Sequence, residues 1–254
     1  MLKMEIVFMG DLVPLVRTGR RPWPTAPSPA GDRLRVEADL AGTATLKDVV
    51  ESLGVPHCEV GSVIGDLDGL DRPVGDGCRA VVNPVTPFAL QDPRFLCDRH
   101  LGRLARLLRM LGFDTLHDPD WTEAEVARRC LVGKRTVLSG HRALLKRRTL
   151  DRAMLIREDD PFLQAEAVIL RFGLAGRAKL FGRCSHCNGE IVPVAKSDVA
   201  DRIPPLTSAW LDEYRRCTGC GKLYWEGTHT RKLGPRLADM LRRCGERINP
   251  PPPA

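Results

Sequence analysis

The chain has no apolar run approaching the roughly 20 residues of a bilayer-spanning helix, so no membrane segment is expected. Met1 to Met9 has no charged region followed by an apolar one and does not read as a signal peptide. Arg20-Arg21 runs into Pro22-Trp23-Pro24 instead of an apolar stretch, which argues against a twin-arginine signal. Without an export signal, a cytoplasmic location and reduced thiols are expected. Five of the 9 cysteines (Cys58, Cys78, Cys97, Cys130 and Cys244) show no ligand spacing and read as packing residues. Acidic residues are in deficit, 32 against 39 Lys and Arg, and the deficit is uneven. Residues 1–90 hold 9 basic and 12 acidic residues, a net of −3; by difference the remainder holds 30 and 20, a net of +10. A basic module behind an acidic one points to a polyanionic partner, most often nucleic acid. The alternative is a chain that is Arg-rich for no local reason. At 254 residues and 43% hydrophobic, one large domain or two to three small ones with a real core are expected.

The remaining cysteines form two pairs, Cys184-Ser185-His186-Cys187 and Cys217-Thr218-Gly219-Cys220, with 29 residues between them. A C-x-x-C turn aims two thiolates at one point, and two such turns supply four soft ligands for a tetrahedral zinc ion. With all four positions filled by protein, the site is structural and any chemistry lies elsewhere. Disulfides are the alternative. Tyr224 and Trp225, beside the second turn, either stack on unpaired bases or pack the small ribbon core.

Along the chain, residues 2–9 alternate and read as a strand. Arg20 to Asp32 carries four prolines and reads as a loop. Leu34 to Leu40 is a strand, and Thr45 opens a helix stopped by Gly54 and Pro56. Ser62 to Ile64 and Arg79 to Val82 are short strands around an Asp76-Gly77 turn. Residues 86–94 read as a linker. Phe95 to Cys97 is a short buried strand ending in Asp98. Leu101 to Leu111 is amphipathic, with Leu101, Leu104, Ala105, Leu108 and Leu111 on one face and Gly112 as its stop. Thr122 caps the next helix, with Glu125 in capping-box position. Arg135–Leu138 and Ala153–Ile156 read as strands, Leu144–Arg148 and Pro161–Leu170 as helices. Strands alternating with helices predict a parallel sheet, whose sites gather at the carboxyl ends of strands. The tail Asn249 to Ala254 holds four prolines and reads as disordered.

Asp98, Glu123, Asp159 and Asp160 stand at strand ends or helix starts. Carboxylates gathered there would hold Mg²⁺ or Mn²⁺ and relieve their own repulsion by doing so. Such ions serve phosphodiester cleavage; as single residues these acids also read as caps or surface charges. Arg99, Arg103, Arg106 and Arg109 recur every three or four residues, a stripe that suits phosphate contacts or a solvated face. Arg142, Lys146 and Arg147 form a second basic stretch expected to touch RNA. DNA and RNA are not separated by phosphate contacts.

Two resemblances follow. Thr45-Leu46-Lys47-Asp48-Val49-Val50, Val55-Pro56-His57 and Asp76 to Val85 resemble the β-grasp, ubiquitin-like fold of sulfur carriers. The chain runs on through Thr86-Pro87-Phe88 where a carrier needs a terminal Gly-Gly, so a binding or regulatory role is implied, not sulfur transfer. Residues 94–232 resemble the PIN-like RNase domain of Mut-seven-type exonucleases. Phe95-Leu96-Cys97-Asp98-Arg99-His100 with the helix to Asp114, Gly133 to Ser139, Arg183 to Asn188, and Cys217 to His229 carry that match. It implies a metal-dependent endoribonuclease, a hydrolase with Asp98 and Glu123 as metal ligands and a zinc ribbon that helps hold RNA. One departure stands out: the family's Thr-Arg-Asp, whose Asp belongs to the metal site, is here Ser139-Gly140-His141. His141 suits Mn²⁺ or Zn²⁺ better than Mg²⁺; Asp114 and Asp160 are candidate substitutes.

The expected architecture is α+β and α/β multidomain: a β-grasp ubiquitin-like domain (1–86), a PIN-like Rossmannoid α/β domain (94–180), a zinc ribbon (181–233), then a C-terminal helix and tail (234–254). Zn²⁺ is the expected structural metal and Mg²⁺ or Mn²⁺ the catalytic one. RNA, with folded RNA such as tRNA as a natural target, is the expected partner. The front domain is expected to contact the PIN-like domain, as an inhibitor or as a wall of a substrate groove. A degenerate RNA-binding protein and a ubiquitin-like interaction adaptor are the competing functions.

Overall fold

The computed structural model describes residues 2–17, 32–40, 42–150, 152–204 and 209–248. Most of the proline-rich loop expected at Arg20 to Asp32, and the tail from Asn249, lie outside the described residues. The chain divides into two compact units: Met1–Thr86 with Val137–Leu155, and Pro87–Thr136 with Ile156–Ala254.

The first unit is built on period-two burial. In β1 (Leu2–Met9), Met4, Ile6 and Phe8 point inward. β2 (Arg33–Leu40) pairs with it antiparallel and buries Val36 and Ala38. β3 (Val60–Gly65) pairs antiparallel with β4 (Cys78–Pro84), and β4 lies parallel to β1, giving the order β2-β1-β4-β3. Helix α1 (Leu46–Ser52) supplies Leu46, Val49 and Val50 to the core. Thr45 caps it with a complete capping box: its hydroxyl accepts from the Asp48 amide while the Asp48 carboxylate accepts from the Thr45 amide. This mixed sheet with one helix is the β-grasp arrangement. A 3-10 helix, Gly10–Leu15, buries Leu12 and Leu15; the sequence reading did not anticipate it. The same unit holds most of β7 (Thr136–Ser139) and all of β8 (Ala153–Leu155), paired in parallel from Val137 opposite Ala153. They are joined through α4, which covers Arg142–Leu145, opening two residues earlier than the expected Leu144.

In the second unit β5 (Phe95–Cys97) is buried throughout and parallel to β6 (Thr115–Leu116). Helix α2 (Gly102–Met110) turns Leu104, Ala105 and Leu108 inward. It stops at Gly112, at φ +92°, where a Cβ would also lie 2.6 Å from the Lys179 carbonyl oxygen, so both conformation and space call for glycine. Helix α3 (Glu123–Gly133) is capped by Thr122, but Glu125 pairs with Arg128 and Arg129, so the box is half formed. Helix α5 (Pro161–Arg171) packs on α2 and on α6 (Thr228–Ile248). The last helix thus opens six residues before the expected 234, inside the segment read as ribbon. Phe95 meets Phe113 and Phe172 in the core. Three short antiparallel strands, β9 (Ile191–Val194), β10 (Tyr214–Cys217) and β11 (Leu223–Tyr224), form a separate sheet in the order β11-β10-β9. Pro193 sits on the edge strand, where a missing N–H does no harm.

Candidate metal centre and nucleic-acid cleft

The four cysteines converge. The sulfurs of Cys184, Cys187, Cys217 and Cys220 all lie within 4.8 Å of one another. Cys184 Sγ is 3.7 Å from Cys220 Sγ, and Cys187 Sγ is 3.3 Å from Cys217 Sγ. Four ligands at 2.3 Å around zinc stand about 3.8 Å apart, so the set can hold a zinc ion with little adjustment. Packing is tight around it: a Cβ on Gly189 would lie 2.8 Å from Cys217 Sγ. Burial works against ionising the Cys184 thiol, but donors led by the Tyr224 hydroxyl, 3.0 Å away, bring it down to about 6. Burial and the three neighbouring thiols push Cys187 up to about 12. Crowded thiols cannot all ionise alone; a divalent cation would resolve the conflict. Tyr224 thus acts on a candidate ligand sulfur, and Trp225 packs against Val199, Ile203 and Tyr214, the packing alternative for that residue.

The first cysteine turn is bolted to the α/β sheet. Arg109 is 6% exposed. Its Nε donates to the Thr115 carbonyl oxygen (2.8 Å), and its Nη1 to those of Ser185 (3.1 Å) and His186 (2.9 Å). Asn188, at φ +71°, accepts from the Thr115 amide (3.0 Å) and donates to Asp114 Oδ1 (2.7 Å). Arg135 grips the same carboxylate at 2.7 and 3.0 Å. Burial alone would raise the Asp114 pKa, yet these partners hold it below the usual carboxylate range. Two expectations are corrected here. Arg109 is a buried clamp on backbone carbonyls, not a phosphate contact; Asp114 is engaged by Arg135 and Asn188, not held for a catalytic metal.

The other three arginines of the stripe do share a surface. Arg99, Arg103 and Arg106 are exposed and line a cleft of about 390 Å³ with His100, Gly102, Asp159, Pro161 and Gln164. Three guanidiniums around one hollow repel each other until an anion enters. Asp98 is 5% exposed at the end of β5, its Oδ1 accepting from the His100 amide at 2.9 Å. Glu123 is the first residue of α3. Asp160 is an N-cap, its Oδ1 accepting from the Phe162 and Leu163 amides at 2.8 and 3.1 Å, not a substitute ligand. Among the described residues, the cysteine set is the group of three or more potential ligands that converges, and Asp98, Glu123, Asp114 and Asp159 form no such group. The cluster expected at strand ends, Asp98, Glu123, Asp159 and Asp160, is likewise not a converging group among the described residues. His100 and Gln164 were missed as cleft residues; His100 adjoins the stripe, whereas Gln164 carries no local signal.

In the first unit His141 is exposed, and its amide donates to the hydroxyl of buried Ser139 at 2.9 Å. Arg142 Nη1 donates to the carbonyl oxygens of Leu15 (2.7 Å) and Gly54 (3.3 Å), and the Lys146 ammonium to that of Glu51. These two cations, read as RNA contacts, bind protein backbone. Arg147 is exposed.

A β-grasp unit together with an α/β unit that carries a four-thiol centre and a basic cleft makes a modular protein. The chain belongs to the Mut7-C RNAse domain family, whose model matches residues 93–245, more than half its length. The Mut7-C ubiquitin model matches residues 28–88 ahead of it. No curated protein and no solved structure matches the chain. No helix among the described residues is long and apolar enough to cross a membrane.

Proposed function

We propose that the protein is a divalent-metal-dependent ribonuclease acting on folded RNA, of which tRNA is a natural case, in the cytoplasm. The observation that carries the reading is the cleft at the start of α2, where Arg99, Arg103 and Arg106 face one hollow beside Asp159, in a chain of an RNase family. The arginines bind and orient phosphate oxygens. Asp98, at the adjoining strand end, and Glu123 are the carboxylates proposed for Mg²⁺ or Mn²⁺. With no preassembled cluster, one or two carboxylates and the substrate's own phosphates complete the coordination, as is usual for Mg²⁺. Bound there, the ion supplies water activation and stabilises the leaving oxygen. The zinc ribbon extends the RNA contact through exposed Arg215 and Arg216 on β10.

A second reading, RNA binding without cleavage, is favoured by one observation: Ser139-Gly140-His141 replaces the family's Thr-Arg-Asp. Cleavage of labelled total cellular RNA by the purified protein, with Mg²⁺ or Mn²⁺ and beside Asp98→Asn, separates the two. Metal-dependent cutting that disappears in Asp98→Asn is expected. Binding without cutting by the wild type would transfer the assignment to the second reading.

A further inference from the structure

The RNase family match runs without a break through residues 93–245, yet Val137–Leu155 folds with Met1–Thr86. A nuclease segment is therefore packed on the ubiquitin-like domain, through polar contacts of long sequence separation. At the start of α4, Arg142 reaches the Leu15 and Gly54 carbonyls, closing the 3-10 helix and the turn after α1 onto the segment. One turn on, Lys146 reaches the carbonyl of Glu51. His57 bridges the two parts, its Nδ1 2.7 Å from Glu51 Oε1 and its Nε2 3.2 Å from the Leu150 carbonyl oxygen. Glu59, 4% exposed, accepts from the Leu155 amide at 2.7 Å and so terminates β8. These contacts span the segment from α4 to the end of β8. α4 itself is a single turn and buries only Leu144 and Leu145, too little to order it alone.

We propose that the ubiquitin-like domain is the strut that positions Val137–Leu155, and with it the Ser139-Gly140-His141 turn, for the nuclease. The proposal rests on the ribonuclease reading only for its functional half; its structural half stands on the contacts themselves. It separates the two roles considered for the front domain, a removable inhibitor or a wall of the groove, and replaces both with a positioning role. Arg142 is the central positioning residue: it follows His141 directly, and carbonyls from the end of the 3-10 helix and from the turn after α1 fix its guanidinium. Both bonds leave one nitrogen, Nη1, so a lysine ammonium with its three donors can restore part of the hold.

The test uses the full chain. Arg142→Ala, Lys146→Ala, their double variant and Arg142→Lys are compared with wild type by hydrogen–deuterium exchange and by steady-state RNA cleavage. The Lys146, Arg147 and Leu150 amides, which bond to the Arg142, Leu144 and Arg147 carbonyls, report on the segment. In the double variant these amides should exchange at least about tenfold faster, while those of β1 and β4 keep their protection. Cleavage should fall in kcat with KM held, and Arg142→Lys should recover part of it. Unchanged exchange in 142–155 would overturn the proposal, as would faster exchange with kcat intact. A rise in KM alone would assign Arg142 to RNA contact and overturn it too. If wild type cuts no RNA, the ribonuclease reading fails by itself, and exchange still decides whether the strut exists.

Discussion

The β-grasp sheet and the ribbon sheet are both small, yet they are held by different forces. The first has strands of 6 to 8 residues, and Met4, Ile6, Phe8, Val36, Ala38, Ala80 and Val82 close one face. Its order follows from burial of alternate side chains. The second has strands of 2 to 4 residues and a cluster of Val199, Ile203 and Tyr214. Even with Val194, Leu211, Leu223 and Trp225 packed against it, that is little apolar surface to offset chain entropy, and a metal held by the four sulfurs would supply the rest. A domain with a core tolerates loss of its ligands; a ribbon of this size does not.

Removing the metal is expected to have the largest effect. Chelation, or Cys217→Ser, forfeits a binding free energy on the order of 10 kcal/mol. Exchange in Ile191–Val194 and Tyr214–Tyr224 should approach that of an unfolded chain while β1 and β4 remain protected. A ribbon that stays protected without metal would break the comparison. Phe8→Ala is the reciprocal experiment: a fully buried ring lost from the β-grasp core should cost about 3–5 kcal/mol, seen as a lower Tm, with zinc content unchanged. Arg109→Ala leaves three carbonyls without their donor; metal affinity, read by competition with a chelator, should fall about 10- to 100-fold, and Arg109→Lys should not restore it. Smallest in stability, within about 0.5 kcal/mol, are Arg103→Ala and Arg106→Ala. Each should instead lower the slope of log RNA affinity against log salt by about 1.

What the sequence made legible follows the same division. β1, β2 and β4 could be read because two-residue alternation is local, and α2 because its leucines recur at helical spacing. The metal centre was legible from two short turns, since the ligands sit inside each turn and only the pairing is distant. Arg109 was misread for a geometric reason. Successive steps of three residues each lag the helix by about 60°, so Arg109 lies about 120° from Arg103 and faces inward. Arg142 and Lys146 were misread because their partners, Leu15, Gly54 and Glu51, lie 88 to 127 residues away. The 3-10 helix and the ribbon strands escaped because elements so short carry too few residues to show a period. Asp114 looked like a spare ligand; Arg135 and Asn188, which occupy it, are distant in sequence or hidden behind a cysteine turn.

The clamp around Arg109 and Asn188 also has a kinetic consequence. It fixes the carbonyls of Ser185 and His186, and the residue after Cys187, without using the metal. A guanidinium keeps its charge under any condition a cell meets, so the turn carrying Cys184 and Cys187 stays docked after a chelator has stripped the ion. Half of the coordination sphere then persists as a standing template, and only the loop bearing Cys217 and Cys220 must be recaptured. Loss of a bound zinc ion would then open the ribbon strands while the first turn stays docked, and reloading would be closure of the second loop on an anchored pair of thiols, faster than assembly of four ligands from a slack chain.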